Sequence, residues 1–510
     1  MSPSIRCLRG RFGGNLIDHL IDRLKSNRRQ YRHRNKLLPR LESVQQGADP
    51  SAAPPLTQKS IVTYRCQSRK LGTLINTGWV PHSSHISFPN TFTSNMPSRE
   101  DVHYFGAGPA PLPTAVLEEA SKVLLNYNDS GIGITEISHR SADANAILAH
   151  TQSGLRQLLD IPESDGPDGY QILFLQGGGS GEFSAVVYHM VSIWVARKAK
   201  ELGGDEDKLR EEVKKMKLDY LVTGSWSLKA SQEAARLAGP EHVNIVTDSR
   251  KHRDGKFGTI ASPDTYTPTA DTDATALTYY CDNETVDGVE FQAAPDGANL
   301  VADMSSNFLS RPVDVRKHAA IFGGAQKNIG TTGITIAIVS NRILPPHTPM
   351  ADAGLLRKLG LPVGPVVLDW PTIAKNNSLY NTLPIFDVWI AGQVMQKLLD
   401  ASTGSPRIAT QQSESDRKAA TLYAELDGSD AYHVVPDNSV RSRMNLCFRV
   451  KGGDAEAEKA FLKGAESRGL LGLKGHRSVG GIRCSNYNAV PVSAVEKLAK
   501  YMKEFAEGKI

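Results

Sequence analysis

The sequence predicts an α/β protein with a large domain built on a mostly parallel sheet and a smaller α+β domain at the C-terminal end. Short apolar runs recur between residues 171 and 339, separated by segments long enough for helical crossovers. Several runs are apolar throughout, which is typical of parallel strands covered on both faces. Past about residue 400 the pattern changes to two strand–helix units. The length of 510 residues also exceeds the roughly 250 to 300 residues that a single core fills.

The elements follow in order along the chain. The predicted strands of the large domain are residues 171–175, 220–223, 243–246, 276–280, 300–302, 320–322 and 334–339. In the small domain, a strand at 445–450 precedes a helix at 454–468, and a strand at 481–485 precedes a helix at 493–506. Ser493 and Glu496 predict a capping box for the last helix. The predicted domains are 96–390 and 391–510, with an N-terminal arm, 96–125, that contributes to the small domain.

Charge is distributed unevenly between a leader and the rest of the chain. Residues 1–95 carry 15 Lys/Arg and 4 Asp/Glu, or +11, so the net +5 of the whole chain leaves −6 on residues 96–510. A nucleic-acid-binding domain carries its positive charge on the folded surface. The acidic body therefore predicts no nucleic-acid partner, and the lack of any run of about 18 apolar residues predicts no membrane span.

The leader, residues 1–95, predicts a mostly disordered segment rich in Ser, Thr, Pro and Gly after residue 45. Two interpretations stay open. An amphipathic stretch before an arginine cluster favours a mitochondrial targeting segment, although Asp18 and Asp22 oppose it. Alternatively, translation begins at Met96 and the leader is a gene-model artefact. Five cysteines without C-x-x-C pairing favour a reducing compartment, so the cytoplasm is expected, or mitochondria if the leader is a presequence.

A glycine-rich segment, QGGGSG at 176–181, follows a predicted strand and opens a predicted helix. Backbone N–H groups at such a helix start favour an anion, and glycine lets the backbone approach a phosphate closely. The segment is neither a P-loop nor a complete G-x-G-x-x-G pattern. By itself it fits a tight turn without a ligand nearly as well.

Three further residues follow predicted strands. Lys327 lies in a turn of small residues, where burial can lower its pKa and let its amine form a Schiff base with a carbonyl. Asp303 ends an apolar run 24 residues earlier, and Trp226 follows another strand. Alone, Asp303 fits a helix N-cap and Trp226 fits the core. Together with the glycine segment they occupy the carboxyl ends of strands, where α/β sheets bind ligands, and they match the amine, carboxylate and phosphate cup that pyridoxal phosphate requires.

The body of the chain resembles the phosphoserine aminotransferase family, class-V members of the fold-type I pyridoxal-phosphate-dependent aminotransferases. The resemblance runs from about Tyr104 to the C-terminus and covers none of residues 1–95. It rests on the motifs GITEISHR, QGGGSGEFSAV, CDNETVDGV, VADMSSNFLSRPVD, GGAQKNIG, SLYNTLP and GHRSVGGIRCSNYNA.

This resemblance implies reversible amino transfer from L-glutamate to 3-phosphohydroxypyruvate, giving O-phospho-L-serine and 2-oxoglutarate in serine biosynthesis. A further hypothesis is activity on the phosphorylated keto acid of pyridoxine biosynthesis. Lys327 would be the catalytic residue and would attach the cofactor. Asp303 would pair with the ring nitrogen, Trp226 would stack on the ring, and Thr285 would hydrogen-bond the phenolic oxygen.

The resemblance also implies the two anion sites. The residues expected at the cofactor phosphate are Gly179, Ser180 and Gln326. Asn381 and Thr382 are expected to reach this phosphate from the other subunit of a homodimer. The residues expected around the substrate are Ala107, His139, Arg140, His476, Arg477 and Arg483. Among them, Arg483 is expected to bind the substrate carboxylate through two parallel hydrogen bonds. Ser180 stands where bacterial members often have arginine, and Ala107 where they have serine, which puts those two side-chain contacts in doubt. No metal ligand is predicted.

Two other classes of function remain alternatives. One is another fold-type I transferase, of the alanine–glyoxylate type or a cysteine desulfurase, although Cys281, Cys447 and Cys484 lie in strand-like runs that suit a mobile nucleophile poorly. The other is a binding protein that has lost catalysis. The presence of both Lys327 and Asp303 favours a working enzyme.

Overall fold

The computed structural model describes residues 97–510, so the predicted leader lies outside the described residues. The strands are β1 (His103–Tyr104), β2 (Tyr170–Leu175), β3 (Lys217–Val222), β4 (Val243–Asp248), β5 (Thr275–Cys281), β6 (Asn283–Glu284), β7 (Val289–Glu290), β8 (Leu300–Asp303), β9 (Ala320–Gly324), β10 (Thr335–Ser340), β11 (Tyr432–Val434), β12 (Asn445–Val450), β13 (Leu470–Leu471) and β14 (Ile482–Ser485). The α-helices are α1 (Thr114–Val123), α2 (Ala142–Leu159), α3 (Gly178–Glu201), α4 (Glu206–Val213), α5 (Ser225–Ala238), α6 (Ala353–Lys358), α7 (Trp370–Lys375), α8 (Ile385–Ala401), α9 (Ala409–Asp427), α10 (Ala455–Glu466) and α11 (Val492–Ala506).

The central sheet has seven strands within residues 97–510, in the order β2-β10-β9-β8-β5-β3-β4. Strand β10 runs antiparallel to both of its neighbours, and every other neighbouring pair in this sheet is parallel. All seven predicted strands are present, so the predicted mostly parallel α/β sheet is confirmed. The carboxyl ends of β2, β3, β5, β8 and β9 consequently meet at one edge of the sheet.

Two apolar clusters cover the two faces of this sheet. Because side chains alternate along a strand, Ile172 and Phe174 pack into one cluster while Leu173 and Leu175 pack into the other. Helices α1, α2 and α8 supply the first cluster, and α3, α4 and α5 supply the second. Burial on both faces explains why the central strands are apolar throughout.

The predicted domain boundary at residue 390 falls inside α8. Val388 and Met395, on either side of that point, belong to the same cluster over the central sheet, and so does Ile408. The second core begins with Leu422 of α9. The change of core therefore comes between residues 408 and 422.

The second core lies between an antiparallel sheet, β11-β12-β14, and helices α9, α10 and α11. From the N-terminal arm, β1 pairs with β13 and Phe105 is buried in this core, whereas α1 packs on the central sheet. The predicted capping box of the last helix is wrong: α11 begins at Val492 after Pro491, with no side-chain cap, so Ser493 already lies inside the first turn. No helix within residues 97–510 is long and apolar enough to cross a membrane.

Candidate active site

A cavity of about 390 Å³ lies at the carboxyl edge of the central sheet. Most of the predicted site residues line it, although they come from elements spread over more than 300 positions of the chain. The predicted site residues in its walls are Ala107, Gly179, Ser180, Trp226, Thr285, Asp303, Gln326, Lys327, His476 and Arg483. The convergence expected from the strand ends is therefore present.

Lys327 lies in the turn that follows β9, and its side chain extends into the cavity. Its Nζ donates a hydrogen bond to Thr285 Oγ1 at 3.0 Å. Burial lowers the pKa of Lys327, and the opposite charge of Asp303 counteracts part of that effect. Lowering the pKa increases the neutral fraction of the amine, which is the nucleophilic form.

Asp303 is the last residue of β8 and is only 5% exposed. Its Oδ1 accepts hydrogen bonds from Ser305 N at 2.9 Å and Ser305 Oγ at 2.6 Å. Burial raises the pKa of Asp303, while the bonds from Ser305 and the charge of Lys327 act in the opposite direction. Since both bonds engage Oδ1, Oδ2 is the oxygen suited to pair with a protonated ring nitrogen.

Sequence reasoning missed Ser305, which orients the carboxylate of Asp303. A local signal was available, because an Asp or Asn side chain commonly accepts a bond from the backbone two residues later. Asp303-Met304-Ser305 has that spacing, and the serine hydroxyl adds the second bond.

The glycine-rich segment forms the turn between β2 and α3. Gly177 and Gly178 have φ of 125° and 64°, and no side chain caps the first turn of α3. The helix therefore presents unsatisfied N–H groups to the cavity. A Cβ on Gly179 would lie 3.3 Å from Ser305 Oγ, so a larger residue there would crowd the group that orients Asp303.

Trp226 lies in the first turn of α5, and the centroid of its indole is 5.9 Å from Lys327 Nζ. Its Nε1 is buried and has no hydrogen-bond partner among residues 97–510. The ring therefore presents an apolar face beside the amine, as a stacking platform would.

The small domain contributes two basic side chains. Arg483, on β14, donates from Nη1 to the backbone oxygen of Thr285 at 3.3 Å. The Nδ1 atom of His476 lies 2.6 Å from Ser478 Oγ. Partial burial and the neighbouring charge of Arg483 lower the pKa of His476, which favours a neutral imidazole. This wall of the cavity thus offers a guanidinium and an imidazole to an anion.

The other predicted site residues do not line this cavity within residues 97–510. Arg140 donates from Nη2 to Leu379 O at 3.4 Å and to Tyr380 O at 3.5 Å, next to Asn381. Asn381 in turn donates to Gln176 Oε1 at 2.6 Å, beside the glycine turn of the same chain. The lining also leaves out His139, Arg477 and Thr382.

These residues fit pyridoxal phosphate. The cavity volume is in the range of small-molecule sites, and its walls provide a largely buried amine, a buried carboxylate and a helix start with free N–H groups. The unpartnered indole of Trp226 leaves an apolar face for a planar ring. The cavity is therefore suited to hold this cofactor with its phosphate at the glycine turn.

Fold and site together define a class-V aminotransferase, and a sequence model of that class matches residues 214–498. The chain is 41% identical over 416 residues to a phosphoserine aminotransferase of Saccharomyces cerevisiae, covering 80% of this chain and 98% of that protein. A phosphoserine aminotransferase of Drosophila melanogaster is 40% identical, covering 79% and 97%. The chain therefore belongs to the phosphoserine aminotransferase family.

Solved structures agree with this assignment. The pyridoxal-phosphate-bound phosphoserine aminotransferase of Trichomonas vaginalis superposes with a TM-score of 0.66 at 34% identity, covering 79% of this chain and all of that one. An alanine–glyoxylate aminotransferase of Nostoc, at 14% identity and a TM-score of 0.54, shares the fold alone.

Proposed function

We propose that this protein catalyses reversible amino transfer from L-glutamate to 3-phosphohydroxypyruvate, giving O-phospho-L-serine and 2-oxoglutarate, with pyridoxal phosphate as cofactor. One observation carries the proposal. The Lys327 amine, 3.0 Å from Thr285 Oγ1, shares a single cavity with the carboxylate of Asp303, the glycine turn and Arg483. Family membership supports the choice of substrates.

When bound, pyridoxal phosphate supplies an electron sink for negative charge at the substrate α-carbon. Lys327 Nζ moves the proton at that carbon, since burial lowers the pKa of Lys327 and increases its neutral fraction. Asp303 holds the proton on the ring nitrogen through an ion pair. Trp226 lies in the cavity wall and would stack on the cofactor ring.

Substrate recognition is a problem of two anions. Arg483 presents a planar guanidinium, which can bind an α-carboxylate with two parallel hydrogen bonds. His476 lies beside it in the same wall. We assign His139, Arg140 and Arg477 to the substrate phosphate or to the distal carboxylate of glutamate.

Spectra and kinetics test the reaction together. The purified protein is expected to be yellow, and Lys327→Ala is expected to lose both the visible band of the attached cofactor and the glutamate-dependent activity. Phosphohydroxypyruvate should be turned over far better than hydroxypyruvate. Equal turnover of the two keto acids would refute the substrate assignment, and a protein that stays colourless after addition of pyridoxal phosphate would refute the enzyme class.

We further propose a homodimer in which Asn381 and Thr382 complete the partner's cofactor site. A mixing experiment tests it. If the site is shared, Lys327→Ala and Asn381→Ala are each impaired alone, and dimers mixed by denaturation and refolding regain activity because one of their two sites has both wild-type residues. No regain would show that Asn381 acts within its own chain, where it bonds to Gln176.

Cytoplasmic localisation is also proposed, since Cys281, Cys447 and Cys484 are free, buried thiols, as expected in a reducing compartment. N-terminal sequencing of the native protein checks the leader. A start at Met1 or Met96 favours the cytoplasm, and a processed end between them favours import into mitochondria.

A further inference from the structure

Glu284 places a fully buried carboxylate against the start of helix α5. It lies on β6 and is 0% exposed. Its Oε2 accepts a hydrogen bond from Trp226 N at 2.8 Å, and its Oε1 accepts bonds from Ser227 N at 2.9 Å and Ser227 Oγ at 2.5 Å. The first N–H groups of a helix have no partner within the helix. Glu284 therefore caps α5 from a strand far along the chain.

The surrounding backbone is shaped to admit this carboxylate. A Cβ on Gly224, the residue before α5, would overlap the side chain of Glu284, so glycine is required there for steric reasons. Asp287 completes the cap, because its Oδ2 accepts a bond from Ser225 N at 2.7 Å. The two acidic residues thus hold the first three N–H groups of α5.

The cap bears directly on Trp226. The indole Nε1 has no hydrogen-bond partner among the residues described, so no polar contact of its own holds the ring in place. Lys229 Nζ lies 4.1 Å from the ring centroid, and Lys327 Nζ lies 5.9 Å from it. The ring packs against the apolar cluster over this face of the sheet, and its position there also follows the backbone of Trp226, whose N–H is bound by Glu284.

We infer that Glu284 is a positioning residue: its carboxylate holds the backbone of Trp226 and so sets the plane of the indole at the cofactor cavity. The next residue, Thr285, accepts the hydrogen bond from Lys327. Two consecutive residues, the last of strand β6 and the one after it, thus contact the backbone of Trp226 and the amine of Lys327. The part of this inference that concerns the cofactor rests on the proposed function.

Glu284→Gln is the informative substitution because it keeps the shape and removes the charge. Each carboxylate oxygen accepts from a backbone N–H, so in either orientation the NH₂ of glutamine would face an N–H and weaken the cap. Burial and the charge of Asp287 raise the pKa of Glu284 to about 8, so the measurements are made above pH 8, where the carboxylate is the main form and loss of its charge also removes a desolvation penalty. The variant is therefore expected to fold while its Trp226 backbone is released.

The first measurement uses the ligand-free protein labelled with 5-fluorotryptophan. The Trp226 fluorine resonance is assigned with Trp226→Phe, and Glu284→Gln is expected to shift and broaden it. The matched control is Asp205→Asn, because Asp205 also caps a helix, accepting a bond from Lys208 N at 3.0 Å at the start of α4, outside the cavity walls. The control should leave the Trp226 resonance unchanged.

The second measurement titrates the apoenzyme with pyridoxal phosphate. Glu284→Gln is expected to raise Kd about tenfold because the indole is less well held. The melting temperature of the apoenzyme should stay close to that of the wild type, since removal of the buried charge offsets the weakened cap. Asp205→Asn should leave Kd unchanged. If Glu284→Gln does not fold, Glu284→Asp, which keeps the charge but is shorter, is measured in the same two ways and should disturb the same resonance.

An unshifted Trp226 resonance together with a Kd within about twofold of the wild type would overturn the inference. If the wild-type protein bound no pyridoxal phosphate, the proposed function would fail, whereas the fluorine measurement would still decide whether Glu284 positions Trp226.

Discussion

Glu182 offers a clean test of the buried electrostatics beside the glycine turn. It lies in α3, is 0% exposed, and its Oε2 accepts a hydrogen bond from Trp370 Nε1 at 3.2 Å. Its Oε1 has no partner within residues 97–510. Glu182→Gln keeps the acceptor for Trp370 and the side-chain volume, and it removes only the ability to ionise.

The magnitude follows from the pKa. Burial raises the pKa of Glu182 from 4.5 to about 7, so the folded protein holds this proton more tightly than the unfolded chain. The resulting stabilisation is fully present below the unfolded pKa and is lost as the pH rises through about 7. At about 1.4 kcal/mol per tenfold change in proton affinity, the loss between pH 5 and pH 8 is about 2.5 kcal/mol. Glutamine does not ionise, so its contribution to the free energy of unfolding does not change with pH.

The assay is urea unfolding of the apoenzyme at several pH values, followed by circular dichroism. The free energy of unfolding of Glu182→Gln minus that of the wild type should rise by about 2.5 kcal/mol from pH 5 to pH 8. Glu118→Gln, at an exposed position of α1, is the control and should show a difference that does not vary with pH. A pH-independent difference for Glu182→Gln would refute the reasoning.

Two further substitutions have expected outcomes. Arg311→Met leaves the buried carboxylate of Asp282 without its guanidinium partner at 2.7 Å, whereas Glu290 keeps Arg443 at 2.6 Å. Urea unfolding should therefore show a loss of about 3–5 kcal/mol, and a loss under about 1 kcal/mol would contradict this. Arg483→Lys removes the planar fork, so KM for glutamate should rise about tenfold or more with an unchanged visible spectrum; an unchanged KM would exclude Arg483 from carboxylate binding.

Much of the fold was predictable because its signals are local. Burial on both faces makes a strand apolar throughout, and all seven such runs became strands of the central sheet. The positions of Lys327, Asp303 and Trp226 followed from the same signal, since the carboxyl ends of parallel strands meet at one edge. The point at which one core gives way to the next was harder to predict, because amphipathicity shows that a helix has a buried face without showing which core covers it.

The residues that support the site were less accessible to sequence reasoning. Glu284 is separated by 58 positions from Trp226, and Arg483 by 198 from Thr285. Nothing in the local sequence around an acidic residue in a strand indicates that its carboxylate will cap a distant helix. The misassigned capping box at Ser493 shows the reverse error, because the spacing was right but the helix starts after Pro491.

The periodicity and the motifs of the sequence thus specify the class of fold, the lysine and its carboxylate partner. These two signals depend only on the order of residues within short segments. Tertiary packing alone sets how Trp226 is held by Glu284 and how Arg483 reaches the cavity from a second core. Those contacts join segments whose approach depends on the packing of whole helices and sheets. Their geometry is a property of the folded chain, and no short stretch of sequence contains it.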